Sequence, residues 1–148
     1  RYGRPDATDE QMWEALRIAQ AADFVSELEG GLGARIAQGG TNVSGGQRQR
    51  LSIARALVKE PAVYVFDDSF SALDVATDAR LRAALAPATA NRATLIVAQR
   101  VATIRYADEI LVLEHGRIVG RGTHDELLAS SRTYQEIVDS QLSAEEAA

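Results

Sequence analysis

The sequence predicts an α/β fold, with a helix-rich first part leading into the C-terminal part of a parallel-sheet core. Three observations carry this expectation. Through residues 1–59 apolar residues recur at helical spacing, with no strand-like run among them. From residue 60 onward, short apolar runs alternate with helical patterns, the order of strand–helix–strand units. The runs are continuously apolar, as in strands covered on both faces.

Taken in order, Arg1-Tyr2-Gly3-Arg4-Pro5 reads as loop, and Asp6 and Thr8 offer starts for a first helix. Met12, Leu16, Ile18 and Ala19 carry its stripe to about Ala22. A short helical piece is expected at residues 24–28, stopped by Gly30-Gly31, and residues 35–41 form a polar, glycine-bearing loop. Ser44 opens the next helix, with Leu51, Ile53, Ala54 and Leu57 on its buried side and Pro61 as its stop. Strands are expected at residues 63–66, 94–98 and 109–113, separated by helices at 74–85, closed by Pro87, and at 101–106. Glu114-His115-Gly116-Arg117 reads as a hairpin turn into a strand at residues 118–120. Helices at 125–129 and 133–141 follow, then a frayed tail at 143–148. The expected division is a helical subdomain over 1–59, the α/β core portion over 60–142, and the tail.

Composition narrows the function. At 148 residues, 46% apolar and 25% charged, the chain is ordinary globular material with enough length to bury a core. A net charge of −5 argues against a nucleic-acid partner, which favours basic surfaces. Without cysteine there are no disulfides and no thiol chemistry. No run reaches the roughly 18 apolar residues that a membrane-spanning helix needs. The sequence shows no signal-peptide pattern and does not start with Met, so a piece of a longer chain is expected. Lys59, the single lysine, precedes Glu60-Pro61 with no glycine before it and no Ser or Thr after it. A G-x-x-x-x-G-K-[ST] phosphate loop is therefore not present in these residues. Gly31 and Gly33 fail the G-x-G-x-x-G pattern because Ile36 stands at its last position.

The richest stretch is residues 42–50, Asn-Val-Ser-Gly-Gly-Gln-Arg-Gln-Arg. Backbone N–H groups at a helix start lack intrahelical partners, and the helix dipole adds positive potential there. Ser44 supplies a hydroxyl cap, Gly45 and Gly46 let a ligand approach the backbone, and Gln47 adds an amide. On its own this is also an ordinary capped helix with a solvated arginine face. The strand that follows ends in Asp67-Asp68, a place where carboxylates can hold hydrated Mg²⁺.

Together, Val43-Ser44-Gly45-Gly46-Gln47 with its Arg-rich helix and Val63-Tyr64-Val65-Phe66-Asp67 resemble the signature motif and Walker B strand of ATP-binding cassette (ABC) proteins. Ser71-Ala72-Leu73-Asp74 is similar to the family's D-loop, although Asp74 also suits the cap of the following helix. The stretch from Val101 to Leu113, with Gly116 and Gly122-Thr123-His124-Asp125-Glu126-Leu127-Leu128, resembles the exporter branch. His115 and His124 read as turn and cap residues, without metal-ligand spacing. The resemblance implies a partial P-loop NTPase fold with a RecA-like core, and ATP and Mg²⁺ as cofactors. It implies a transmembrane domain, a P-loop and a glutamine loop upstream, and a place at the cytoplasmic face of a membrane. It also implies a head-to-tail dimer, in which Ser44, Gly45, Gly46, Gln47 and Asp74 act at the ATP held by a second nucleotide-binding domain. Asp67 would hold Mg²⁺ through water. The stretch alone would hydrolyse no ATP.

Two departures weaken one site. The family's catalytic Glu is replaced by Asp68, shorter by a methylene, and the family's switch His by Gln99. A displacement on the order of 1 Å costs about a hundredfold when a water must be aligned. Gln hydrogen-bonds but carries no charge to a phosphoryl transition state, where electrostatics dominate. In place of the exporters' Gly-Glu-Arg-Gly before the signature stands Ala37-Gln38-Gly39-Gly40. The expectation is the degenerate half of an exporter heterodimer. The other classes are a soluble ABC ATPase, which would normally keep the Glu, a non-catalytic interaction module if the natural chain is this short, and a helix-turn-helix DNA binder, which the acidic balance disfavours.

Overall fold

The computed structural model describes residues 2–146, with side chains to residue 142; Arg1 and the end of the expected tail, Ala147 and Ala148, lie outside the described residues. The architecture is mixed α/β, as expected, in two compact units, Arg1–Val97 and Ala98–Ala148. Among the described residues no helix is long and apolar enough to cross a membrane.

In the first unit α1 (Asp9–Ile18) begins at Thr8, whose side chain accepts from the Gln11 N–H while the Gln11 side chain accepts from the Thr8 N–H. This reciprocal cap satisfies two of the donors a helix start leaves open. Next come α2 (Ala22–Glu27), 3-10 turns at Gly31–Gly33 and Gln38–Gly40, and α3 (Gly45–Val58). Beyond Pro61 the chain runs through β1 (Val63–Asp67), α4 (Val75–Thr89) and β2 (Ala93–Val97). β1 and β2 pair in parallel, from Val63 opposite Ala93 to Asp67 opposite Val97. Leu16, Ile53, Leu57, Tyr64, Phe66 and Leu81 anchor one core beneath them.

Within the described residues one face of β1 is covered and the other is not: Tyr64 and Phe66 are each 4% exposed, but Val63 and Val65 are 56% and 60% exposed, and on β2 Leu95 and Val97 are 52% and 50%. Successive side chains on a strand point to opposite faces, so an apolar run reads alike whether its second face is covered or bare. Pro87 does not close α4, which continues to Thr89. Proline forfeits a single backbone bond so near a helix end. The Thr89 hydroxyl, moreover, donates to the Leu85 carbonyl at 3.0 Å.

The second unit comprises α5 (Val101–Ile104), β3 (Ile110–Glu114), β4 (Arg117–Gly122), α6 (His124–Ser130) and α7 (Arg132–Glu146). As the hairpin turn expected at residues 114–117 requires, β3 pairs antiparallel with β4, in a sheet separate from the β1–β2 pair. The turn explains the pairing. His115 and Gly116 both have positive φ, 48° and 75°, the two-residue geometry whose twist matches a hairpin. Ile110, Val112, Leu127 and Tyr134 form the buried cluster of this unit. His124 Nδ1 lies 2.9 Å from the Tyr134 hydroxyl, and burial pushes the Tyr134 phenol above its ordinary range.

Candidate functional site

The turn before α3 is built by two reciprocal hydrogen bonds. Ser44 Oγ accepts from the Gln47 N–H at 3.1 Å, and Gln47 Oε1 accepts from the Ser44 N–H at 2.9 Å. The first intrahelical bond, from the Arg48 N–H to the Ser44 carbonyl, is 2.9 Å. The N–H groups of Gly45 and Gly46 are left with no acceptor inside the helix, at its positive end. The Gln47 carboxamide oxygen is thus turned to the cap, and its NH₂ group remains to donate outward.

Arg48 and Arg55 of this helix are exposed and Arg50 is half-buried, yet Arg48 and Arg50 also brace the neighbouring segments. Arg48 Nη1 donates to the Gly39 carbonyl at 3.3 Å, and a Cβ on Gly40, whose φ is +67°, would stand 2.5 Å from Arg48 Cδ. Arg50 donates to the Gln20 carbonyl at 2.5 Å, with its guanidinium 5.0 Å from the Phe24 ring centroid, a cation–π contact. Asn42 closes the preceding loop, accepting from the Ala37 N–H and donating to the Arg35 carbonyl, both at 2.9 Å. Sequence reasoning did not single out Asn42, Arg48 or Arg50 as positioning residues. Their partners lie on loops, where periodicity carries no signal.

Asp67 ends β1, and its side chain and that of Asp68 face solvent. The ladder continues one step further, with the Asp68 N–H donating to the Val97 carbonyl at 3.0 Å. Asp68 then turns left-handed, with φ 47°. Asp and Asn are the non-glycine residues that enter this region most readily. The left-handed backbone at this position therefore suits Asp better than Glu. Among the described residues no group of three or more His, Cys, Asp or Glu could hold a metal ion. Mg²⁺ takes one or two carboxylates and completes its shell with waters and phosphate oxygens. An exposed carboxylate at the strand end, Asp67, suits a water-mediated contact of that kind.

Asp74 caps α4, accepting from the Thr77 N–H at 2.9 Å. That backbone bond, with the Thr77 hydroxyl and Arg80 adding to it, holds the carboxyl below the usual carboxylate range. A depressed value stabilises the folded form above the ordinary carboxylate pKa, and the contribution is lost as pH falls through the lowered one. As pH falls through the lowered value, the Thr77 amide is therefore expected to lose protection, its exchange rising relative to the intrinsic rate at each pH. Asp74→Asn, which keeps an acceptor without a titrating charge, is expected to flatten that dependence, and an unchanged profile would contradict the capping role.

Ser44 to Gln47, Asp67, Asp68 and Asp74 all belong to the first unit, and Gln99 to the second. Gln99 is exposed just before α5, and its carbonyl accepts from Gln141 Nε2 at 2.7 Å. The oxygen of the same Gln141 amide accepts from the Val101 N–H at 2.9 Å, tying the segment to α7.

Residues 6–71 match the model of the ABC transporter family. An uncharacterized ABC transporter ATP-binding protein of Mycobacterium tuberculosis is 52% identical over 144 residues, 95% of this chain and 24% of that protein. A beta-(1→2)glucan export ATP-binding/permease protein of Bradyrhizobium diazoefficiens is 44% identical over 146 residues, 99% of this chain and 24% of that protein. The solved structure of a bacterial Atm1-family ABC exporter with ATP bound superimposes with a TM-score of 0.91 at 36% identity, over 95% of this chain and 25% of that one. The chain thus spans about a quarter of the length of the relatives it matches. A glycine turn capped by its own serine, a strand ending in paired carboxylates, and likeness that runs nearly the whole chain agree, and the chain belongs to the ABC transporter family.

Proposed function

We propose that this chain is part of the ATP-binding component of an ABC exporter, working at the cytoplasmic face of a membrane with ATP and Mg²⁺. Its partners in this reading are a transmembrane domain and a second nucleotide-binding domain, paired head to tail. The observation that carries it is the turn at Ser44–Gln47, where two glycine N–H groups at a helix start remain open to an anion. In that dimer Ser44, Gly45, Gly46 and Gln47 donate to the γ-phosphate of ATP on the partner, with Asp74 at the junction. Asp67 holds a water of the Mg²⁺ shell in the chain's own site.

The finer reading is a heterodimer in which this chain's own site is degenerate. Asp68 has the shorter carboxylate, Gln99 supplies no charge, and the intact signature serves the other site. ATPase of the assembled full-length pair tests it. Asp68→Asn is expected to lower turnover by no more than about threefold, because little hydrolysis occurs where Asp68 sits; a working general base contributes about a hundredfold or more. A loss of that larger size would overturn the degenerate site.

A further inference from the structure

Gln49 lies two residues past the signature turn, and its side chain reaches the loop after β1. Gln49 Nε2 donates to the Asp68 carbonyl at 3.2 Å and to Ser71 Oγ at 3.0 Å, while Gln49 Oε1 accepts from the Ala72 N–H at 2.9 Å. Ser71 Oγ donates in turn to the same Asp68 carbonyl at 3.0 Å. With its N–H held by Val97, Asp68 is fixed at both backbone polar groups in a left-handed conformation that costs a non-glycine residue free energy. The helix presses on the same loop a turn earlier, where a Cβ on Gly46 would lie 3.0 Å from the Ala72 carbonyl oxygen. One amide therefore joins three points of the 68–72 loop to the helix that carries the signature.

We propose that Gln49 is a positioning residue that makes the signature turn and the loop from Asp68 to Asp74 move as one piece. The inference rests on the reading given above, in which the signature serves the partner's nucleotide and the carboxylate loop serves this chain's own. Through Gln49, closure of the signature on one nucleotide sets the backbone beside the other. A fork with one donor end and one acceptor end is suited to this, because it fixes the loop in register as well as in distance.

The test uses the full-length assembled transporter carrying Gln49→Ala, Gln49→Glu, Leu57→Ala or Gly46→Asp. Turnover is referred to folded protein, and exchange of the Ala72 amide is followed by hydrogen–deuterium exchange. Gln49→Ala is expected to lower kcat at least about tenfold, because the signature turn it braces is loosened at the partner's hydrolysing site, while KM for ATP stays within about twofold, the split expected when alignment rather than binding is lost. Its Ala72 amide should exchange faster. Gln49→Glu keeps the acceptor for that amide but loses the donor to the Asp68 carbonyl, so exchange should stay slow and kcat fall between the other two. Leu57→Ala, which removes core packing from the same helix, should lower the melting temperature and leave kcat of the folded fraction near the starting value.

If Gln49→Ala keeps kcat within about twofold, or if Leu57→Ala lowers kcat equally, the positioning role is wrong. Loss of activity in Gly46→Asp alongside either result would leave the signature reading standing. Full activity in Gly46→Asp would remove that reading, and the Gln49 proposal with it.

Discussion

Gly46→Asp in this chain is expected to reduce ATPase of the assembled full-length pair by about a hundredfold or more, the scale of losing preorganised donors at a charged centre. Two effects act together. A carboxylate placed where the Gly45 and Gly46 N–H groups face outward repels a phosphate. At about 4 Å and an effective dielectric near 20, two like unit charges repel by about 4 kcal/mol, roughly a thousandfold. The added Cβ also meets the Ala72 carbonyl oxygen at 3.0 Å, so the turn shifts on the loop below. Two companion variants separate these effects. At Gly45 a new Cβ meets the Ala72 Cβ at 3.7 Å and Arg48 Nη2 at 3.9 Å, ordinary contacts, so Gly45→Asp brings the charge, partly offset by Arg48, without the crowding. Gly46→Ala brings the crowding without the charge. Gly45→Asp should lose nearly as much activity as Gly46→Asp, and Gly46→Ala distinctly less. Retention of activity by Gly45→Asp would mean that no anion meets this turn.

The parts of this molecule that local rules govern were legible in the sequence. Ser44 with Gln47 three residues on forecasts a capped helix start, and the reciprocal cap is there. Val63 and its neighbours forecast β1, and His115-Gly116 forecasts the hairpin of β3 and β4. The faces of those strands were not legible, because Val65 at 60% exposed and Phe66 at 4% are equally apolar. Which of them is covered depends on what else packs there, and spacing along one strand holds no such information. The pairing of β3 was legible, because the turn at residues 114–117 folds the chain back and sets an antiparallel neighbour. Gln49 was hidden for a different reason. It sits on a polar helix face like any solvated amide, and its bonds reach Asp68, Ser71 and Ala72 across the intervening strand. The backbone twist at Asp68 was equally out of reach, although an Asp where a relative's motif has Glu is the one clue it left.

Leu127→Ala is expected to cost about 2–5 kcal/mol, the usual range for emptying a well-packed leucine site. Among the described residues, the buried apolar side chains of the second unit are Ile110, Val112, Leu127 and Tyr134, with Val101, Ile104, Ala107, Leu128 and Val138 partly buried against them, and Leu127 is 1% exposed. Leu127 packs on β4 at Gly120, where a Cβ would lie 3.1 Å from Leu127 Cδ2, so the leucine occupies space that a side chain at residue 120 would contest. Leu127 also holds α6 against the hairpin, and its carbonyl accepts the Ser131 N–H at 2.8 Å where α7 begins, so loosening it reaches the seam between the two helices. Leu127→Met conserves most of the volume and should cost less than about 1.5 kcal/mol. Denaturant-dependent proteolysis of the full-length protein, read at sites within residues 98–142, measures both. A change under about 1 kcal/mol for Leu127→Ala would mean that the four-residue cluster is not what holds this unit, because so small a loss is reached by surface substitutions and mild core changes alike.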